Sequence, residues 1–239
     1  MLDLHTHILP GMDDGSPDPE TSAAMLRLEA GQGVKAICAS SHYYRRQNSI
    51  ERFCQRRARA LERLGPLLSP ELPRVIPAAE VAFFSGISEC PGLERLCIGE
   101  SRTLLLEMPF AEWNDFQLEE VAALVLDRGF GVILAHPERF CSSRSNREKL
   151  AQLGQLDIGW QVNASALLHW RSRKLALELL RQARRPLLAS DCHNLGLRPP
   201  NLNEGRTVVM QKLGEAFLAR ICVMNSGSFK SNVCGFKNN

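Results

Sequence analysis

The chain predicts an α/β fold built on a closed or nearly closed parallel barrel of seven strands. Three observations carry that expectation. Short apolar, β-branched runs alternate with segments of helical periodicity, the pattern of parallel strands joined by crossover helices. The runs are nearly continuous in apolar residues, as in strands covered on both faces. The length of 239 residues is close to the roughly 250 typical of a (β/α) barrel.

The strands expected in order are Leu2–His5, Val34–Ser40, Arg74–Val81, Thr103–Met108, Gly131–His136, Ile158–Asn163 and Leu187–Ser190. After the first, Asp18 supplies an N-cap, Pro19 takes the first helical position and Gly33 closes the helix. Ile50 to Leu64 is an arginine-rich helix, either a solvated face or a docking surface through Arg56, Arg57 and Arg59 for an acidic tail. Asn114 to Arg128 places Leu118, Val121, Ala122 and Val125 at helical spacing before Gly129. Ser172 to Arg185 stops before Pro186, and Asn203 to Arg220 forms the last helix. The polar, glycine-containing stretch 225–239 is expected to be an irregular tail, leaving 1–224 as a single domain. Trp113, Trp160 and Trp170 are expected in the core, and Tyr43-Tyr44 either there or at a pocket mouth.

Composition narrows the classes. Hydrophobic residues make up 44% and charged residues 23%, which excludes a disordered or fibrous chain. No apolar run reaches the roughly 18 residues of a membrane-spanning helix. The net charge of +3 gives no support for a nucleic-acid partner. The eight cysteines include no CxxC pair, and Cys38 and Cys192 sit in or beside apolar strand-like runs. No basic, then apolar, leader segment precedes Leu2-Asp3-Leu4-His5. Free thiols and a cytoplasmic location are therefore expected.

The chemistry emerges at the strand ends. In parallel barrels the site forms at the C-terminal ends of the strands. Here those ends carry His5 and His7, His42, Glu80, Glu107, His136, and Asp191 with His193, while Asp14 follows the first strand in a turn. Five of the six histidines are used; His169 is left over. Five imidazoles and four carboxylates exceed what one ion needs and suit two or three divalent ions. Nitrogen and oxygen donors without thiolate fit Mn, Fe or Zn. Three such ions against four carboxylates leave a charge of about +2, suited to a phosphate dianion. Two C-x5-R matches, Cys141 with Arg147 and Cys192 with Arg198, offer a rival cysteine nucleophile. About one such match arises by chance, so they carry little.

The segments DLHTHILPGMDDGSPD, ICASSHYY, PAAEV, LLLEMPF, VILAHPERF, QVNASAL and LLASDCHNLGLRPP together resemble the PHP (polymerase and histidinol phosphatase) superfamily. The likeness is to its CpsB/YwqE-type manganese-dependent protein-tyrosine phosphatase branch. It covers Asp3 to about Arg206; Ser41 stands where the family usually has proline, and the chain after Cys222 departs from the family's ending. The resemblance implies a distorted seven-stranded (β/α) barrel of the PHP type. It implies one ion on His5, His7, Glu80 and Asp191, a second reached through a bridging Glu80 and completed by Glu107 and His136, and a third on Asp14, His42 and His193. The metal implied is Mn, with Fe, Zn or Mg as alternatives. Arg139 and Arg206 are implied as phosphate-binding arginines. The implied reaction is hydrolysis of phosphotyrosine on a protein, a bacterial tyrosine kinase controlling capsule or exopolysaccharide synthesis, with no covalent enzyme intermediate. Alternatives are a small-molecule phosphatase of the histidinol-phosphate type, a nuclease, or a non-catalytic kinase-binding regulator. Oligomeric state is not legible in the sequence.

Overall fold

A computed structural model describes residues 1–227. Among them nine strands form two all-parallel sheets, wrapped by eight α-helices. One sheet has the order β1 (Leu2–Thr6), β2 (Ala36–Ala39), β4 (Arg74–Pro77). The other has the order β3 (His42–Tyr43), β5 (Glu80–Ala82), β6 (Thr103–Glu107), β7 (Gly131–Ala135), β8 (Gly159–Asn163), β9 (Arg185–Ala189).

This corrects the expectation of seven strands in one barrel. The second and third apolar runs each break in two, at Ser40-Ser41 and at Ala78-Ala79, and cross from the first sheet to the second at the break. The two runs stay side by side throughout, β2 against β4 and β3 against β5. At the break Ser40 turns to β1: its N–H donates to the Thr6 carbonyl at 2.9 Å, and its Oγ accepts the Thr6 N–H at 3.1 Å. Apolar periodicity does not register such a switch of partner. At the far edge, Thr6 bridges Cys192 beyond β9. The His7 N–H donates to the Cys192 carbonyl at 2.8 Å and the Asp191 N–H to the His5 carbonyl at 2.9 Å.

Alternation along the strands divides the core in two. Leu105, Ile133, Ala135, Leu187 and Ala189 join Leu4, Cys38 and Ala78 in a small interior cluster. Their neighbours Leu104, Leu106, Val132, Leu134 and Leu188 face the helices in the large one. The helices are α1 (Pro19–Gly31), α2 (Ile50–Leu64), α3 (Asp115–Leu126), α4 (Arg144–Leu153), α5 (Ala164–Leu168), α6 (Trp170–Gln182), α7 (Leu202–Leu213) and α8 (Glu215–Gly227). Asp18 caps α1, and Asn114 with Gln117 forms a capping box on α3.

Two expectations at the C-terminal end are corrected. The single last helix is two, because Gly214 at φ 87° enters a region that only glycine visits cheaply and breaks the run. The chain is not irregular from 225: α8 continues to Gly227, and the buried Asn225 donates from Nδ2 to the Leu188 carbonyl at 2.8 Å and to the Leu2 carbonyl at 3.3 Å. The remainder of the expected tail, 228–239, lies outside the described residues. Trp113 and Trp160 are buried as expected, but Trp170 is 77% exposed at the start of α6. No helix among the described residues is long and apolar enough to cross a membrane.

Candidate metal centre

The strands deliver their polar residues to one place. β1 ends into His5 and His7, the turn after it carries Asp13 and Asp14, β3 begins at His42 and β5 at Glu80, and β6 ends at Glu107. His136 follows β7, and Asp191 and His193 follow β9. His136 and Asp191 are the non-glycine residues with positive φ among those described, at 32° and 54°. A bulky side chain held there costs on the order of 1–3 kcal/mol, and such strain collects where geometry serves function.

All nine candidate ligands converge. His5 Nε2 lies 3.0 Å from His7 Nε2, and both lie 3.2 Å from Glu80 Oε2 and 3.4 Å from Asp191 Oδ1. His136 Nε2 is 2.7 Å from Glu80 Oε1 and 3.5 Å from Glu107 Oε1. Asp14 Oδ1 is 3.6 Å from His42 Nε2 and 3.5 Å from His193 Nε2. Donors bonded at about 2.0–2.2 Å to one ion stand about 3.0–3.6 Å apart, so most of these spacings are those of ligands around a shared cation. The buried atoms lacking a hydrogen-bond partner include Glu80 Oε2, Asp191 Oδ1, His42 Nδ1 and His193 Nε2. Orphaned buried polar atoms are costly unless something satisfies them, and a divalent cation would do so here. Four overlapping groups of potential ligands result: His7, Asp14, His42 and His193; His5, His7 and Glu80; His5, His136 and Asp191; and His42, Glu80 and Glu107.

The electrostatics agree with anionic ligands. Burial opposes the ionised form of Glu80, but the neighbouring His5, His136 and His42 imidazoles outweigh it and hold the carboxyl well below its ordinary range. Asp191 is held low in the same way, by His5 and His7 against burial. Glu107 is raised by burial and by the Glu80 charge.

Two arginines stand beside the cluster. Arg198 Nη2 donates to Asp191 Oδ2 at 2.7 Å, and Arg139 Nη1 lies 4.0 Å from the same oxygen. Arg139 and Arg198 line a cleft of about 420 Å³ with Glu138, Asn163, His169 and Asp191. Arg206 is not there, and its expected place at the site is corrected. It projects from α7 into a separate cavity of about 230 Å³ with Met1, Leu2, Cys222 and Asn225. Arg198 takes that position; it stands in the stretch after Asp191-Cys192-His193, where a strand-end rule does not look.

Other residues emerge only in three dimensions. Asp13 Oδ2 lies 2.8 Å from His7 Nδ1 and accepts the His42 N–H at 2.8 Å. Burial would raise its carboxyl, but His7 and these hydrogen bonds pull it well below the carboxylate range. The doublet Asp13-Asp14 hid which aspartate faces which histidine. Tyr44 stacks on His42 at 5.3 Å, whereas Tyr43 is fully buried against Phe53. Of the arginines suspected of docking, Arg56 donates to the Met12 carbonyl and Arg57 to the Ala78 and Arg95 carbonyls, while Arg59 stays exposed. Burial pushes the Cys141 thiol up to about 12 and Cys192 well above its ordinary value, which removes the thiolate a cysteine nucleophile needs. All seven described cysteines are free.

Comparison with known proteins follows the same lines. The model of the family described as "Capsular polysaccharide synthesis, CpsB/CapC" matches residues 1–229. The tyrosine-protein phosphatase YwqE of Bacillus subtilis (strain 168) is 28% identical over 219 residues, spanning 90% of this chain and 85% of its own. The tyrosine-protein phosphatase CpsB of Streptococcus agalactiae serotype III (strain NEM316) is 26% identical over 250 residues, spanning 97% of this chain and 99% of its own. A solved chain from the crystal structures of YwqE from Bacillus subtilis and CpsB from Streptococcus pneumoniae, described as unique metal-dependent tyrosine phosphatases, superposes with a TM-score of 0.82. It is 24% identical, and the match covers 95% of this chain and 93% of that one.

Proposed function

Because the chain belongs to the CpsB/CapC family of capsular polysaccharide synthesis proteins, we propose that it is a divalent-metal-dependent phosphatase acting on phosphotyrosine in a protein. The observation that carries this reading is the convergence of nine ligand side chains at cation-sharing distances beside Arg139 and Arg198. His5, His7, Glu80 and Asp191 would hold one ion, Glu80 with Glu107 and His136 a second, and Asp14, His42 and His193 a third. Manganese is the metal we assign, with Fe, Zn or Mg as competitors for the same donors. When bound, the ions supply charge against the phosphoryl oxygens and lower the pKa of water to make a nucleophile at neutral pH.

The chain's own residues do the rest. Arg139 and Arg198 reach into the cleft from opposite loops and clamp phosphoryl oxygens, bidentately where the geometry allows. Asp13 fixes the His7 ring from behind, so that Nε2 faces the cluster. The mostly buried ligands exclude bulk water, which strengthens every charge interaction there. No covalent enzyme intermediate is needed, in keeping with the raised thiols.

The substrate we assign is a tyrosine-phosphorylated bacterial kinase that controls capsule or exopolysaccharide synthesis, and the location cytoplasmic, which the free cysteines support. We read residues 1–227 together as the catalytic unit, since Asn225 is held against Leu2 and Leu188, and the bridge from Thr6 to Cys192 supports reading the two sheets together as the distorted PHP-type barrel. The test is kcat/KM with manganese on a phosphotyrosine peptide and on histidinol phosphate. Preference for the peptide, abolished by chelation, is expected; preference for histidinol phosphate would transfer the chain to the small-molecule branch.

A further inference from the structure

β8 is the one central strand of the larger sheet that sends no ligand to the cluster, yet its polar residues are buried among the ligands. Gln161 is fully buried and Asn163 is 6% exposed. We propose that Gln161 and Asn163 are positioning residues that fix the donor nitrogen of His5 and the free oxygen of Asp191; this rests on the metal-centre reading above.

The argument is one of hydrogen-bond direction. Asp191 Oδ2 already accepts from Arg198 at 2.7 Å, so Asn163 must present its NH2 to that oxygen, and it does so at 2.7 Å. The Asn163 amide oxygen is thereby turned to Gln161, whose NH2 donates to it at 2.8 Å. Gln161 Oε1 is then left facing His5 Nδ1 at 2.9 Å. An amide oxygen only accepts, so His5 carries a proton on Nδ1, and Nε2 is the nitrogen left to serve as a metal donor. That nitrogen points into the cluster, 3.4 Å from Asp191 Oδ1, the other oxygen of the carboxylate where the relay began. Oδ1 is buried and has no hydrogen-bond partner. One carboxylate thus sets the orientation of two amides and the protonated nitrogen of one imidazole, and its second oxygen would face the ion that His5 Nε2 would hold. The backbone holds the relay: the Asn163 N–H donates to the buried Glu138 at 3.0 Å, and β8 is paired on both sides, with β7 and β9.

The test uses Gln161→Met, which keeps the shape and loses the acceptor, Gln161→Glu, which keeps an acceptor for His5, and Asn163→Asp, which sets a carboxylate against Asp191. Manganese affinity is measured by titration calorimetry, and the His5 tautomer by nitrogen-15 NMR of the metal-free protein. Loss of an outer-shell partner typically weakens metal binding by about 10- to 100-fold. Gln161→Met and Asn163→Asp are expected to fall in that range, with Gln161→Glu restoring affinity to within a few-fold of the parent. The metal-free parent is expected to show His5 protonated on Nδ1, and Gln161→Met a mixture. Parental affinity in both Gln161→Met and Asn163→Asp, or a parent whose His5 Nδ1 carries no proton, would overturn the proposal. If Gln161→Met does not fold, as judged by its melting curve, Asn163→Asp and the parental tautomer decide. A parent that binds no manganese would defeat the metal-centre reading, and the tautomer would still decide the relay.

Discussion

An arginine clamp works only where its guanidinium reaches the phosphoryl oxygens. Arg139 and Arg198 line the cleft beside the ligands, whereas Arg206 lines another cavity behind α7. Arg139→Ala and Arg198→Ala should therefore each lower kcat on p-nitrophenyl phosphate by about 10²- to 10³-fold, the usual loss for one preorganised donor. Arg206→Ala should leave kcat/KM within about threefold. A strong loss at Arg206 alone would reverse this assignment. At the same scale, Cys141→Ser should retain most activity, since its thiol titrates near 12, while His136→Ala should abolish it. The nine candidate ligands were legible in the sequence because a parallel barrel puts strand ends together and these side chains have few other buried uses. Asp13, Gln161 and Asn163 were not singled out, and Arg198 only as part of a C-x5-R match. Their roles depend on which neighbour a loop or strand turns toward, and spacing does not encode that.

Secondary-structure elements carry two further consequences. Helix α1 buries Glu29 against Asp3 of β1 and the Cys192 thiol. Burial pushes Glu29 up to about 9, assisted by the neighbouring Asp3 charge, and pushes Asp3 up to about 6 against its hydrogen bonds from Ser190 and His5. Both acids hold protons in the folded chain that the unfolded chain releases near pH 4. Their stabilisation is complete below the unfolded pKa values and is lost as pH rises through about 6 and about 9. Melting temperature should thus decline from pH 5 to pH 9, and Glu29→Gln should flatten the decline, restoring roughly 2–4 °C for each kcal/mol recovered. A parallel decline in the variant would refute this account. In the turn after β1, a Cβ at Gly15 would collide with the His7 carbonyl oxygen and stand 2.5 Å from His7 Cβ. Gly15→Ala should displace His7 and cost about 1–3 kcal/mol of stability, with manganese affinity falling by more than tenfold. Parental affinity by calorimetry would show that the turn yields instead. The sequence marked α1, α2 and α3 well, through Asp18-Pro19, the arginine-rich run of α2 and the helical spacing of Leu118, Val121, Ala122 and Val125 before Gly129. It did not mark α4, whose ten residues offer Leu150 and Leu153 to the core and little else apolar, or the split at Gly214.

Across the whole molecule the candidate ligands come from both sheets: β1 belongs to one, and β3, β5, β6, β7 and β9 to the other. Cations there would tie the sheets together. Manganese at one hundred times its dissociation constant should stabilise the fold by about 2.7 kcal/mol, or roughly 5–10 °C in melting temperature, and EDTA should remove that increment. An identical melting curve with and without metal would mean that the folded chain does not bind it in preference to the unfolded one. The parallel α/β class was legible in the sequence, because alternation of apolar runs and helices leaves few other arrangements. The division into two sheets was not, since it turns on two short breaks at serine and alanine. The seam where Ser190 donates to Asp3 spans 187 positions of chain. A ribosome adding about 5–20 residues per second would make His5 and His7 roughly 10–40 s before Asp191 and His193. Throughout that interval the nascent chain offers an early half-set of imidazoles that any passing copper or zinc could seize. The complete donor set, with its four carboxylates beside five imidazoles, exists only once synthesis has passed β9. Chains arrested before that point should leave the ribosome without manganese, and metal choice would then be made by the folded protein and not by the growing one.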